Sequence, residues 1–188
     1  MTALAPGRLP GRAPVLAPHL SWIWKRFDAL SGEDVYDALA LRSEVFVVEQ
    51  QGVFLDADGC DRHAWHLLGR MEPKAGTDAP SACTSPLAAY LRCLDPGVKY
   101  AGPSIGRVIV AASHRRTGLG RVLMREGIAH TKARWPEADI VISAQLRLEG
   151  FYASLGFRSE GSPYDEDGIA HVEMRLALTN TLLEEKHR

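Results

Sequence analysis

Cysteine is scarce in this 188-residue chain: Cys60, Cys83 and Cys93 are all there is, an odd number with no C-x-x-C pair. That argues against a disulfide framework and a cysteine zinc site, and fits free thiols in a reducing compartment. Net charge is nearly absent as well, at −1. Without a global basic field no nucleic-acid partner is expected, and any anion has to be held by a local site. No apolar run reaches the length of a membrane span, so no membrane partner is expected either. Residues 1–19 carry Arg8 and Arg12, but Pro6, Pro10, Pro14 and Pro18 break the apolar stretch that a signal peptide needs. The expectation is a disordered Pro/Ala/Arg-rich extension over 1–20 on a cytoplasmic protein.

What is present is the composition of one ordinary domain, 46% hydrophobic and 24% charged. It is expected over 21–179, followed by a charged tail over 180–188. Ser21 to Phe27 alternates as a strand. Ser31-Gly32-Glu33-Asp34 is an N-cap pattern with an acid three residues on, opening a helix with Val35, Ala38, Leu39, Arg42 and Val45/Phe46 along one stripe. Arg42 interrupts that stripe and therefore snorkels or has an acidic partner. Ala64 to Met71 and Leu87 to Leu94 read as strands around a polar loop, Glu72 to Pro86. Ile105 to Val110 is a β-branched strand. From Leu119 a helix is expected to turn Val122, Leu123, Ile128 and Ala129 inward and to end at Trp135-Pro136. Ile140 to Ile142 is a buried strand, Leu148 to Leu155 a short helix capped by Gly156, and two strands flank an acidic turn at Tyr164 to Gly168. The order β-α-β-β-β-α-β-α-β-β predicts an α/β fold. Its sheet is mixed and mostly antiparallel, of six or seven strands in a single domain, with helices on both faces.

One segment carries chemistry. The strand ending Val108-Ile109-Val110 is followed by Arg115-Arg116-Thr117-Gly118-Leu119-Gly120 and then a helix. A glycine turn at a helix N-terminus is an anion cradle: unpaired N–H groups and the helix dipole face the ligand. Arg115, Arg116 and Arg121 add positive charge. A P-loop requires Lys-Ser/Thr after its second glycine, and none follows. A dinucleotide fingerprint requires a third Gly or Ala where Leu123 stands, and Asp139 lies at the wrong end of its strand. The pattern that fits is Arg/Gln-x-x-Gly-x-Gly/Ala.

That turn resembles the pyrophosphate loop of the GNAT superfamily of N-acetyltransferases, and the likeness extends over about residues 22–178. Further blocks are similar to the ElaA-like subfamily: Val45 to Gln50, Asp56 to Asp61, His66-Leu67-Leu68, Gly106 to Val110, Ala144-Gln145, Phe151-Tyr152 with Gly156-Phe157, and Tyr164 to Ile169 with His171. The resemblance implies the GNAT fold and transfer of an acetyl group from acetyl-CoA to an amine by direct attack on the thioester. Pantetheine would pair with the backbone of Val108, Ile109 and Val110, whose N–H groups also include the expected oxyanion donor. The pyrophosphate would sit on the turn from Arg115 through Arg116, Thr117, Gly118, Leu119 and Gly120 to Arg121.

Within that frame Tyr152 is the expected acid for the departing thiolate. Glu49, Glu166, Asp167 and His171 are candidates for the base, unless water relays the proton. Gln145, Glu166 and Asp167 would face the acceptor, and Glu49 could instead pair with Arg42 or Arg107. Asp56, Asp58 and Asp61 look like a calcium loop but lack its twelfth-position Glu. They are read as a capped loop or as the entrance for a cationic substrate, and no metal is expected. Acidic residues near the cleft hint at a cationic acceptor such as a polyamine, an aminoglycoside or a protein lysine. Longer acyl donors, as in acyl-homoserine-lactone synthases, a non-catalytic acetyl-CoA sensor and a partner-binding domain are the competing readings. A homodimer is left open.

Overall fold

The computed structural model describes residues 20–72 and 85–177. The expected N-terminal extension, most of the Glu72 to Pro86 loop with Cys83, and the C-terminal tail lie outside the described residues. Seven strands form one sheet in the order β1-β2-β3-β4-β5-β7-β6. They are β1 Leu20–Arg26, β2 Ala64–Met71, β3 Leu87–Leu94, β4 Ser104–Val110, β5 Ile140–Gln145, β6 Arg158–Glu166 and β7 Ile169–Leu176. Three helices, α1 Gly32–Arg42, α2 Leu119–Arg134 and α3 Glu149–Ala153, complete the expected element order. Neighbouring strands are antiparallel except β4 and β5.

The sheet is buried on both faces. Leu67 and Leu68 are adjacent in β2, and Tyr90 and Leu91 in β3, yet all four are fully buried. Helix α1, with Ala38 and Leu41, and the π-helical stretch that follows it, Ser43–Glu49, with Val45, cover Leu68, Tyr90 and Ile109. Leu119, Leu123, Met124 and Tyr152 pack on the opposite face. Cys93 lies there, hydrogen-bonded to Thr131, and burial pushes its thiol up to about 12, so it is unreactive. No helix among the described residues is long and apolar enough to cross a membrane.

Two helical faces differ from the sequence expectation. Ser31 and Asp34 form the full capping box. However, the inward residues of α1 are Asp34, Ala38, Leu41 and Arg42, while Leu39 stands at the surface. The helix is rotated because Arg70 of β2 pulls in Asp34 at 2.7 Å and Asp37 at 2.7 Å. Beyond Arg42 it widens into a π-helical stretch, Ser43–Glu49. In α2 the contact line is Leu119, Leu123, Gly127 and Thr131, and Val122 and Ala129 are exposed. Gly127 admits Leu91 so closely that an added Cβ would lie 2.5 Å from it. Thr131 returns its hydroxyl to the Gly127 carbonyl at 2.7 Å. A glycine and a threonine on the seam are invisible to an apolar count. The acidic turn is also shorter than expected: β6 runs to Glu166, and Asp167-Gly168, both at positive φ, make a two-residue hairpin.

Candidate functional site

Strands β4 and β5 run parallel but register at a single pair, Ser104 with Val141. Beyond it they diverge. Against β3, Tyr90 pairs with Ile109 and Arg92 with Gly106, so β4 holds one residue more than its partner over that span. This is a β-bulge, and Arg107 within it has φ +52°. A cleft of about 170 Å³ opens between the diverging strands. It gathers Val108, Gln145, Tyr152, Glu166, Asp167 and His171 among its walls, with Phe46, Gln50, Phe54, Ile105 and Ile142.

Tyr152 stands at the cleft from the last turn of α3, with its ring edge-on to Phe151 and Phe157. Burial pushes its hydroxyl up to about 12, so the phenol keeps its proton at neutral pH. His171 places Nδ1 2.8 Å from the Ile169 carbonyl oxygen. A carbonyl only accepts, so in the neutral ring Nδ1 carries the proton and Nε2 keeps the lone pair. Glu166 is half-buried. Burial pushes its carboxyl up, but the Ser143 hydroxyl and Lys99 at 3.1 Å outweigh this and hold it below its ordinary value. Gln145 donates to Gln50 at 3.0 Å and accepts from Arg147 at 3.0 Å, which ties β5 to the end of the π-helical stretch.

The glycine turn lies beside the cleft rather than in it. Gly118, at φ +90°, is the N-cap of α2 and supplies no side chain. Its carbonyl already accepts from the Arg121 and Val122 N–H groups, and the Thr117 hydroxyl reaches the Leu119 N–H at 3.4 Å. The N–H groups of Gly118 and Gly120 have no protein partner among the described residues. Arg116 is exposed at φ +62°, and Arg121 lies over Phe151 at 5.9 Å. Arg115 grips Glu49 with both Nη atoms, at 2.6 and 2.7 Å, and the Val110 carbonyl with Nε at 3.1 Å. Glu49 thus pairs with neither Arg42 nor Arg107. It lies outside the cleft walls, and the bond from Arg115 keeps its carboxyl below the ordinary value.

Arg42 has the acidic partner that its place in the apolar stripe allowed for, but sequence reasoning missed the network around it. Asp56 accepts from Arg42 Nε at 2.8 Å and from Arg107 Nε at 2.7 Å, one carboxylate oxygen for each. Asp58 takes a two-pronged contact from Arg92, at 2.7 Å on each oxygen. Asp61 takes Arg42 at 2.7 Å and Arg92 at 2.9 Å. The Asp61 carbonyl and the Tyr90 hydroxyl bracket His66, whose ring burial pushes below its usual value. Burial pushes the Asp58 carboxyl up, but its arginine partners hold it far below the ordinary range. The acidic loop is therefore a neutralised hub, not a landing surface for cations, and no metal-holding group occurs among the described residues. Its signal in the sequence was the set of arginines at interior positions of otherwise apolar elements: Arg42, Arg92 and Arg107.

Known proteins match this arrangement. A family profile described as "Acetyltransferase (GNAT) domain" matches residues 93–178. A UPF0039 protein of Synechocystis is 42% identical over 82% of this chain and 94% of its own length. The crystal structure of Escherichia coli ElaA, 32% identical, covers 85% of this chain and all of its own, with a TM-score of 0.73. The chain belongs to the GNAT family, on its ElaA-like branch. An acyl-CoA N-acyltransferase from Pseudomonas aeruginosa, 34% identical over 85% of this chain, superposes with a TM-score of 0.74. The GNAT fold expected from the sequence is thus present, and with it a family whose members transfer acyl groups from acyl-CoA. The bulge, the part of β4 that does not pair with β5, and the glycine turn follow one another along the chain up to the start of α2.

Proposed function

We propose that the chain moves an acetyl group from acetyl-CoA to a small primary amine by direct attack on the thioester. The observation that carries this reading is the splayed β4–β5 edge, which continues into a helix N-terminus holding free N–H groups at Gly118 and Gly120. An extended amide chain ending in a pyrophosphate fits that order: strand pairing first, anion cradle second. Val108 and Val110 would hold the pantetheine amides, and the Arg115 to Arg121 turn the phosphates. The amine lone pair attacks the carbonyl carbon, and its charge shifts to the oxygen, facing a β4 backbone N–H. The C–S bond then breaks, and Tyr152 gives its proton to the thiolate. His171 Nε2, directly or through water, takes the proton that the amine loses.

The acceptor we propose is a small amine with an uncharged body. Apart from Asp167 at the hairpin tip, each carboxylate in or beside the cleft already has a cation: Glu166 has Lys99, Glu49 has Arg115, and Asp56 and Asp58 share three arginines. Phe46, Phe54, Ile105 and Ile142 supply apolar wall. Nothing in that lining supports the polycationic acceptor that the acidic residues suggest in the bare sequence.

Tyr152→Phe is expected to lower turnover about 100-fold, the lower end of what a positioned acid contributes. Calorimetry should find acetyl-CoA affinity within a few-fold of wild type. An unchanged rate of thiol release would show that water protonates the leaving group. For the native enzyme, kcat/KM should rise with pH as the amine loses its proton. Because Tyr152 titrates only at about 12, no alkaline fall is expected below pH 10. A fall near pH 8 or 9 would assign the acid to another group.

A further inference from the structure

The β4 bulge is held from outside the strand. Arg107 adopts φ +52°, a region that side-chain-bearing residues seldom occupy without something to keep them there. Two of its three guanidinium nitrogens, Nε and Nη2, are held by the 56–58 loop. Nε donates to Asp56 Oδ1 at 2.7 Å, and Nη2 reaches the Asp56 carbonyl and Asp58 Oδ2, each at 3.2 Å. Phe46 and Phe54 lie against it, with ring centres 5.9 and 5.8 Å away. Asp56 is itself immobile, since Arg42 binds its other carboxylate oxygen at 2.8 Å and its carbonyl at 2.7 Å. A chain of charge-assisted bonds thus runs from the end of α1, through the 50–58 loop, to the one residue of β4 in a left-handed conformation.

We infer that Arg107, locked by Asp56, is the positioning residue that sets the β4 bulge and thereby presents the Val108 to Val110 edge to the acyl donor. The inference rests on the proposal that this edge takes the donor. The extra residue of a bulge decides which backbone groups face the partner strand and which face away. If Arg107 relaxed to an extended conformation, the residues after it would change face, and the row of groups offered to the cleft would change with them. The arginine does not touch the reacting atoms. It acts through the backbone.

The test compares Arg107→Ala with Arg107→Gly in the full chain, by calorimetry with acetyl-CoA and by amide hydrogen exchange across residues 105–110. Alanine removes the lock and disfavours the left-handed conformation. Glycine removes the lock but adopts positive φ freely. Arg107→Ala is expected to weaken acetyl-CoA binding about 10-fold, as would a free-energy change of about 1.4 kcal/mol, and to raise exchange at Val108 and Ile109. Arg107→Gly is expected to stay within about 3-fold of wild type. A residue needed only for stability would lower Tm in both variants but leave acetyl-CoA affinity near wild type in each. Wild-type affinity in Arg107→Ala with unchanged exchange would overturn the inference, and so would Arg107→Gly binding as poorly as Arg107→Ala. If the native chain itself fails to bind acetyl-CoA, the donor reading fails. The exchange comparison then still decides whether Arg107 sets the bulge, since unchanged protection in Arg107→Ala would refute it.

Discussion

Gly118→Glu should abolish acetyl-CoA binding, with at least a 100-fold loss of affinity by calorimetry, in a protein that still folds. Two observations separate the loss of binding from a loss of fold. Gly118 is exposed at the N-cap of α2, and a Cβ built on it meets nothing within 4 Å. The first atom of the new side chain therefore meets open space. Its φ of +90° does impose strain on a non-glycine residue, about 1–2 kcal/mol. A carboxylate at a helix N-terminus returns about 0.3–1 kcal/mol of that through the dipole. The same attraction makes the glutamate an internal competitor: its carboxylate lies where the phosphate would, next to the free N–H groups of Gly118 and Gly120. Gly118→Ala carries the strain without the competitor and is expected to lose only a few-fold in affinity. Native-like binding by Gly118→Glu would remove the glycine turn from the donor site.

The sequence was informative where a local pattern maps onto one backbone geometry. Ser31 with Asp34 announced the start of α1, Gly156 the end of α3, and Gly118 and Gly120 the turn before α2. The element order followed from the same marks. The faces of α1 and α2 were misread because long-range partners decided them. Asp34 turns inward for Arg70, 36 residues away, and Gly127 lies on the seam because Leu91 needs its space. The cleft was half legible. Family likeness brought Val108, Tyr152, Gln145, Glu166, Asp167 and His171 to one place, and the geometry agrees that they line it together. Glu49 pairs with Arg115 across 66 residues, a contact that no spacing rule anticipates. The Arg–Asp hub was least visible, because a buried ion network is defined by three-dimensional partners. Its only sequence trace is charge where the pattern calls for apolar side chains, as at Arg42 and Arg92.

Arg42→Ala should be among the most destabilising single changes available in this molecule, costing about 3–5 kcal/mol. Arg42 is 1% exposed and donates to Asp56 and Asp61 at once. Removing it leaves two carboxylates under α1, each keeping only one arginine partner, Arg107 for Asp56 and Arg92 for Asp61. For a chain of this size each kcal/mol lowers Tm by about 2–4 °C, so a drop on the order of 10 °C is expected. The pH dependence distinguishes lost charge pairing from lost packing. In the native protein burial pushes the Asp61 carboxyl up, but its arginines outweigh this and hold it below the ordinary carboxylate value. A carboxyl depressed on folding contributes stability that is present above its unfolded value and lost as pH falls through its folded one. Without Arg42 that depression shrinks, so the variant has less stability to lose on acidification. The gap in Tm between wild type and Arg42→Ala should therefore be widest above pH 5 and narrow below pH 4. A gap that stays constant from pH 7 to pH 3 would mean that Arg42 acts by filling space. A drop of less than 2 °C at pH 7 would mean that the hub contributes no more than surface ion pairs do. The wide, pH-sensitive gap is the outcome that the buried geometry demands.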